Sequence, residues 1–155
     1  MIRTIFALCF VFAVASARIT PVCQCSDSNS VGAITNFNIE PCDSDRCVFK
    51  PNTKVTITGE LITNSTAENP IMFVEVESGR MFIEYPSLSE NACKYIACPL
   101  KADAPNPFKI ELVTLDWLPP MDTIMQLSII ESKWSNDDDS LACIEIEIDI
   151  DIIAA

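Results

Sequence analysis

Cysteine is the residue type whose spacing in this 155-residue chain is most suggestive of chemistry. The chain contains "CQC", "CDSDRC" and "CKYIAC", and single cysteines stand near the two ends, at Cys9 and Cys143. Cysteines grouped in this way can hold a metal ion, form a redox pair or close disulfide loops. The four residues between the sulfurs of "CDSDRC" and of "CKYIAC" exceed the two of the usual zinc knuckle. The choice between thiolates and disulfides then depends on the compartment.

The N-terminal stretch "MIRTIFALCFVFAVASA" has the order of a secretory signal peptide. Arg3 precedes an apolar run over residues 5–14, which ends in small residues at positions 15–17. A membrane anchor is the alternative, but the run is shorter than the roughly 20 residues that a spanning helix needs. We therefore predict a signal peptide at residues 1–17, one mature domain at residues 18–155, secretion, and no transmembrane segment.

Secretion would place the remaining cysteines in an oxidising compartment, which favours disulfides over free thiols. Of the eight cysteines in the chain, Cys9 lies in the signal peptide, so the mature domain keeps an odd number. We expect three disulfides and one spare thiol, because thiolate ligands for zinc would be oxidised outside the cell. No metal site is predicted.

Composition limits the other chemistry. The chain has no histidine, and its formal net charge is −12. The usual general base and the usual zinc ligand are therefore missing, and an acidic surface disfavours nucleic acid as a partner. The sequence contains no G-x-S-x-G motif and no phosphate-binding glycine loop. We predict no enzymatic activity and no cofactor; the alternative is a hydrolase that uses two opposed carboxylates in a polar cleft.

Carboxylates are concentrated near the C-terminus, in "NDDDS" and "CIEIEIDIDII". Asp and Glu are calcium ligands, but alternate carboxylates along a strand lie about 7 Å apart and point into solvent. "NDDDS" also lacks the glycine and the spaced ligands of an EF-hand loop. We predict a turn and a solvated strand face, whose like charges would protect an edge strand from pairing with another chain.

The segments that lie between and beside the cysteines and carboxylates show the two-residue period of β-strands. Apolar and polar residues alternate in "KVTITGELI", "NPIMFVEVESG", "RMFIEYP", "NPFKIELVTL", "TIMQLSIIESKW" and "CIEIEIDIDII", with prolines and turn residues between them. The second and third runs are spaced for a hairpin. This pattern predicts an all-β, immunoglobulin-like sandwich of two sheets, although the buried Trp of true immunoglobulin domains is missing. Such sheets either fill their interior or splay to enclose an apolar slot for a lipid.

One further motif concerns modification. "NST" begins at Asn64, between two predicted strands, and fits the acceptor pattern for N-glycosylation in a secreted chain. We predict that Asn64 carries a glycan.

The order of the cysteine segments carries a family resemblance. A cysteine soon after the signal is followed by "EPCDSDRC", by "NACKYIACPL" and by "LAC" at the start of the last run. In these features the sequence resembles the ML, or lipid-recognition, domain family of Niemann-Pick type C2-like and mite group 2 allergen-like secreted proteins. The likeness extends from residue 25 to residue 152. It implies an immunoglobulin-like β-sandwich with three disulfides and an apolar cavity between its sheets, which holds a sterol, a fatty acid or a similar lipid.

The resemblance also implies a disulfide pairing. The expected bridges are Cys25 with Cys143, Cys42 with Cys47, and Cys93 with Cys98. Cys23 has no counterpart in the family pattern; it could compete with Cys25 for Cys143 or form an intermolecular bond.

The lipid pocket that the resemblance implies lies on the inward-facing strand positions. We name these positions the wall residues: Val55, Ile57, Met72, Val74, Phe108, Ile110, Met125, Leu127, Ile144, Ile146 and Ile148. "YP" at Tyr85 and Pro86 matches one segment of the pocket mouth. "LPPM" at residues 118–121 matches a second segment but lacks its aromatic residue, which argues against a preference for sterols.

The resemblance finally implies partners and a destination. The partners would be a lipid and a membrane protein that accepts it, and the protein would be a monomer in the extracellular space or the lysosome. The alternative is a surface-acting recognition module of innate immunity, with a filled core and a large exposed apolar patch.

Overall fold

The computed structural model describes residues 19–26, 29–132 and 140–151. The predicted signal peptide, most of "NDDDS" and Ile152 lie outside the described residues. The strands are β1 (Cys23–Gln24), β2 (Ala33–Glu40), β3 (Cys47–Phe49), β4 (Lys54–Ile62), β5 (Ile71–Ser78), β6 (Met81–Glu84), β7 (Asn106–Val113), β8 (Met121–Ile130) and β9 (Ser140–Ile150). A short 3-10 helix spans Ala92–Lys94.

The strands form two sheets. The large sheet has the order β1-β9-β8-β5-β6, with β3 also paired to β9, and the small sheet has the order β2-β4-β7. Neighbouring strands are antiparallel except β3 and β9. The predicted two-sheet, all-β architecture is therefore confirmed, and so is the hairpin of β5 with β6.

Alternation places one face of each long strand in the interior. Val55, Ile57, Gly59 and Leu61 of β4 are buried, and the three residues that alternate with them are partly exposed. The same pattern holds in β5, β7 and β8. Two apolar faces packed together remove a large hydrocarbon area from water, which stabilises the sandwich.

The last strand lies inside its sheet, so the expectation that it could be an edge strand is wrong. β9 pairs with β8 along one side and with β1 and β3 along the other. The alternating pattern shows which face of a strand is buried, but it carries no information about how many neighbours the strand has.

The two sheets approach closely where β2 begins. A Cβ atom on Gly32 would lie 2.7 Å from the Leu141 carbonyl oxygen of the large sheet, and it would also overlap the Ile62 carbonyl oxygen of the small sheet. The Val31 amide donates to the Ser140 carbonyl at 3.2 Å. Backbone groups of both sheets thus meet on this side, where glycine is the residue that fits.

The outer face of the small sheet contains an ion-pair network centred on Glu111. The Lys54 ammonium donates to its carboxylate at 2.7 Å, and the Lys109 ammonium does so at 2.9 Å. These bonds lower the pKa of Glu111 from its ordinary 4.5 to about 2, and the bond from Lys54 is the largest cause. All three side chains are substantially exposed, so salt screens the network.

The Glu111 network should respond to acid. A lowered folded-state pKa gives stability that is present above the unfolded value and lost as the pH falls toward 2. We expect an NMR titration of the Glu111 carboxyl to show a midpoint near 2, which Lys54→Met moves back toward 4.5. Glu111→Gln should reduce the acid sensitivity of unfolding in this window. An unchanged midpoint in Lys54→Met would contradict this explanation.

Candidate functional site

The wall residues come together between the sheets. All eleven are buried and belong to one apolar cluster to which both sheets contribute. Burial is common to a pocket wall and to a filled core, so contact of these side chains with a lipid stays a prediction.

Tyr85 and Pro86 lie in different environments. Tyr85 is 4% exposed, and its backbone amide donates to the Val74 carbonyl at 2.9 Å, which continues the pairing of β6 with β5 beyond Glu84. Burial raises the pKa of Tyr85 to about 12, so the phenol is neutral at physiological pH. Pro86 is exposed. The predicted mouth segment therefore has one buried and one solvent-facing residue.

The surface beside Tyr85 is nearly closed. An indentation of about 10 Å³ lies there, bounded among others by Met72, Val74 and Leu88. This volume is about that of a single water site, and a lipid needs a pocket of several hundred Å³. A ligand could enter beside Tyr85 only if this segment moved.

The second predicted mouth segment lies in the connection from β7 to β8. Leu118 is buried in the apolar cluster, and Pro119 and Pro120 are exposed. The hydroxyl of Thr123, just inside β8, donates to the Glu77 carbonyl at 2.6 Å, close to the turn of the β5–β6 hairpin. The β7–β8 connection thus leads to the same end of the large sheet as this hairpin.

The three disulfides join the pairs that the family resemblance implies. Cys25–Cys143 links the N-terminal segment to β9 over a sequence separation of 118, and Cys42–Cys47 and Cys93–Cys98 close short loops. The Cys93–Cys98 loop bridges the two sheets. The Ala92 amide donates to the Pro70 carbonyl next to β5, and the Lys109 amide of β7 donates to the Tyr95 carbonyl.

Arg46 interacts with the acidic outer face of β9. Its guanidinium contacts Glu147 at 2.7 Å, Asp149 at 3.2 Å and Asp122 of β8 at 3.3 Å. Asp122 and Asp149 are cross-strand partners, a placement in which like charges destabilise a sheet, and Arg46 offsets their repulsion. Glu147 and Asp149 face solvent, as predicted for this face, and the sequence analysis missed their pairing with Arg46. Residues 19–26, 29–132 and 140–151 contain no cluster of three potential metal ligands.

Cys23 is the one cysteine without a disulfide in the part of the chain that the structure describes, and it is exposed. It lines a surface cleft of about 320 Å³ on the outer face of the large sheet, together with Pro21, Val22, Arg46 and Ile124. The acidic side chains of the cleft are Asp45, Glu145 and Glu147. This cleft is separate from the wall residues.

Sequence reasoning missed the contribution of β2 to the interior. Phe37 and Ile39 are almost completely buried there. Strict alternation is lost in β2 because its register against β4 shifts between Thr35 and Asn38, and Asn36 has a left-handed φ of 52°. The aromatic and β-branched residues of "AITNFNIE" were the available signal.

Asn64 lies in the connection from β4 to β5 and is exposed. This position is accessible to a glycan, and occupancy stays a prediction.

A two-sheet sandwich with three disulfides and an apolar interior defines a class of small disulfide-bonded β-proteins, and comparison with known proteins identifies the family. A family model described as the ML domain matches residues 20–150. The chain belongs to the ML domain family, the lipid-recognition family that its cysteine segments resemble.

Among the described residues, no helix is long and apolar enough to cross a membrane.

Relatives in sequence include mite group 2 allergens. The chain is 25% identical over 101 residues to Pso o 2 of Psoroptes ovis, across 65% of this chain and 68% of that protein. It is 30% identical over 70 residues to Lep d 2 of Lepidoglyphus destructor, across 45% of this chain and 50% of that protein. The matched region thus spans between half and about two thirds of these relatives.

A structural relative is the Niemann-Pick type C2 protein of the Japanese carpenter ant. Its crystal structure matches with a TM-score of 0.69 at 16% identity, covering 83% of this chain and 97% of that chain. At this level of identity the likeness concerns the fold.

Proposed function

We propose that this protein binds a lipid, such as a sterol or a fatty acid, between its two sheets and carries it through an aqueous compartment. The observation that supports this most strongly is the meeting of two apolar inner faces in a member of the lipid-recognition family. Transfer of hydrocarbon from water into this interior would contribute about 25 cal/mol per Å².

The chemistry of the interior favours a neutral lipid body. The buried polar residues of the described chain are Thr20, Thr63, Asn106, Thr114 and Ser140, and no buried residue is charged. These polar side chains are already hydrogen bonded, as shown by the Asn106 amide, which donates to the Leu61 carbonyl at 3.2 Å. A fatty acid would therefore keep its carboxylate at the entrance, because burial of an unpaired charge is costly.

The pattern of links between the sheets suggests where a lipid enters. The Gly32 region joins the sheets at β2 and β9, and the Cys93–Cys98 loop joins β5 to β7. We place the entrance between β6 and the connection from β7 to β8, which contain the two predicted mouth segments. The exposed apolar side chains Met81, Phe82 and Trp117 belong to these elements, and Met81 is 68% exposed.

The proposal includes the processing, the location and the partner of the protein. Residues 1–17 would be removed as a signal peptide, and a monomeric domain of residues 18–155, glycosylated at Asn64, would act in the extracellular space or the lysosome. A membrane protein that accepts lipid would be its partner. The exposed set Met81, Phe82 and Trp117 also favours a second candidate function, a recognition module that acts through its surface.

Transfer of a fluorescent fatty acid and of a fluorescent sterol between neutral vesicles tests the proposed function. We expect the transfer rate to rise linearly with protein concentration for at least one of the two lipids, because each molecule carries one ligand. A rate equal to spontaneous transfer for both lipids, with folded protein present, would refute carriage and leave the surface module as the better explanation.

A further inference from the structure

The free thiol of Cys23 lies one cross-strand position from the long-range disulfide. β1 pairs with β9 so that Cys23 is opposite Glu145 and Gln24 is opposite Ile144. The Cys25 amide continues this ladder and donates to the Cys143 carbonyl at 3.2 Å. Alternate residues of a strand share a face and lie about 7 Å apart. Three sulfur atoms, one thiol and one disulfide, are therefore neighbours on the outer face of the large sheet.

The two sulfurs of the disulfide are not equivalent. The side-chain amide of Gln126 donates a hydrogen bond to the Cys25 sulfur at 3.3 Å. Gln126 is the cross-strand partner of Glu145 on β8, which places its amide on the same outer face. A hydrogen-bond donor stabilises a departing thiolate, so Cys25 is the favoured leaving group and Cys143 is the sulfur that a nucleophile attacks.

We propose that this cluster is a thiol–disulfide switch in which Cys23 and Cys25 exchange as the partner of Cys143. The Cys23 thiol releases its proton to solvent, and the resulting thiolate attacks the Cys143 sulfur and forms the new S–S bond. The bond between Cys143 and Cys25 breaks, and its electron pair goes to the Cys25 sulfur, which then takes a proton. One disulfide and one thiol are present before and after, so the step consumes no oxidant or reductant.

The backbone around β1 permits this exchange. The new bridge requires a slip of two residues along β9, which would bring Cys23 opposite Cys143. A two-residue slip keeps each side chain on its original face, since the side-chain period of a strand is two. β1 has two residues, both exposed, and β9 is its single partner strand in the described sheet. Besides the short ladder with β9, the slip has to exchange the hydrogen bonds of Thr20, whose amide donates to the Phe37 carbonyl at 3.0 Å and whose hydroxyl accepts from the Ile39 amide at 3.1 Å.

The slip would change a surface feature as well as a bond. Pro21, Val22 and Cys23 line the 320 Å³ cleft together with Ile124 of β8 and Glu147 of β9. Movement by two residues displaces the first three by about 7 Å relative to β8 and β9. The position of the disulfide would thus control the shape of this cleft.

Disulfide mapping of the native, full-length secreted protein tests the switch. The protein is held at pH 8 without reductant and quenched with acid, and its free thiol is labelled with N-ethylmaleimide before digestion and mass spectrometry. We expect the label on both Cys23 and Cys25, with a matching amount of the Cys23–Cys143 peptide. Gln126→Leu should slow the exchange about fivefold, as loss of an ordinary hydrogen bond would. Label confined to Cys23, or a dimer linked through Cys23 as the sole product, would overturn the proposal.

Two variants keep this test decisive. In Cys25→Ser, oxidised glutathione should drive formation of the Cys23–Cys143 bridge in a protein with a native circular dichroism spectrum; persistently free Cys23 and Cys143 would overturn the proposal. In Cys23→Ser, Cys25 should never be labelled under native conditions. Label on Cys25 in that variant would show that the bridge opens without Cys23 and would also overturn it.

Discussion

Replacement of Cys25 and Cys143 by serine, in a Cys23→Ser background, is expected to lower the free energy of unfolding by about 5 kcal/mol. The bridge closes a loop with a sequence separation of 118, and its removal restores the conformational entropy of that loop to the unfolded chain. It also ties the N-terminal segment to β9, a strand in the interior of the large sheet. Urea unfolding of the variant and of Cys23→Ser alone measures the difference.

The Cys93–Cys98 bridge provides a matched control. Its sequence separation is 5, and the same chain-entropy model gives about 2 kcal/mol for its removal. Cys93→Ser with Cys98→Ser should therefore cost less than half as much stability. Because this loop joins β5 to β7, the control variant should nevertheless speed the exchange of bound lipid. Equal losses of stability for the two bridges would contradict the assignment of the long loop as the main constraint.

Val74→Trp is expected to abolish lipid binding while the protein stays folded. Val74 lies on the inner face of β5, and its carbonyl accepts the Tyr85 amide beside the proposed entrance. If the interior opens for a lipid, the indole takes the space of the ligand, and affinity should fall at least about tenfold, equivalent to 1.4 kcal/mol. If the interior is a filled core, the larger side chain should cost about 1 to 3 kcal/mol of stability by overpacking.

Val48→Trp is the matched control for this substitution. Val48 lies in β3 and is 45% exposed, so the same substitution here places the indole in solvent instead of the interior. Thermal unfolding and lipid titration of both variants separate the two cases. Normal binding in Val74→Trp, together with a large loss of stability, would show that the wall residues are ordinary core.

The alternating runs predicted most of the sandwich because burial on one face imposes a strong pattern on a strand. β4, β5, β7, β8 and β9 all carry it, and the wall residues drawn from them are all buried. β2 was not predicted, because its bulge near Asn36 breaks the alternating pattern. β1 and β3 have two and three residues, too few to show a period.

Features that depend on tertiary packing could not be derived from the pattern. The ion pairs of Arg46 with Glu147 and Asp149 join residues about a hundred positions apart, and no local motif marks them. The hydrogen bond from Gln126 to the Cys25 sulfur is equally non-local. The disulfide pairing came from the family resemblance, since spacing alone leaves many connectivities open. The alternating pattern also cannot distinguish a lipid-binding cavity from a filled core, because the residues of a pocket wall and of a core alternate in the same way.

The measurement that tests the central claim most directly is native mass spectrometry of the protein purified from its natural source, compared with recombinant Val74→Trp offered the same lipid extract. We predict that the natural protein carries a copurified lipid in a one-to-one complex that organic solvent disrupts, and that Val74→Trp carries none. A homogeneous ligand-free mass for the natural protein, with no uptake of labelled sterol or fatty acid, would contradict the account.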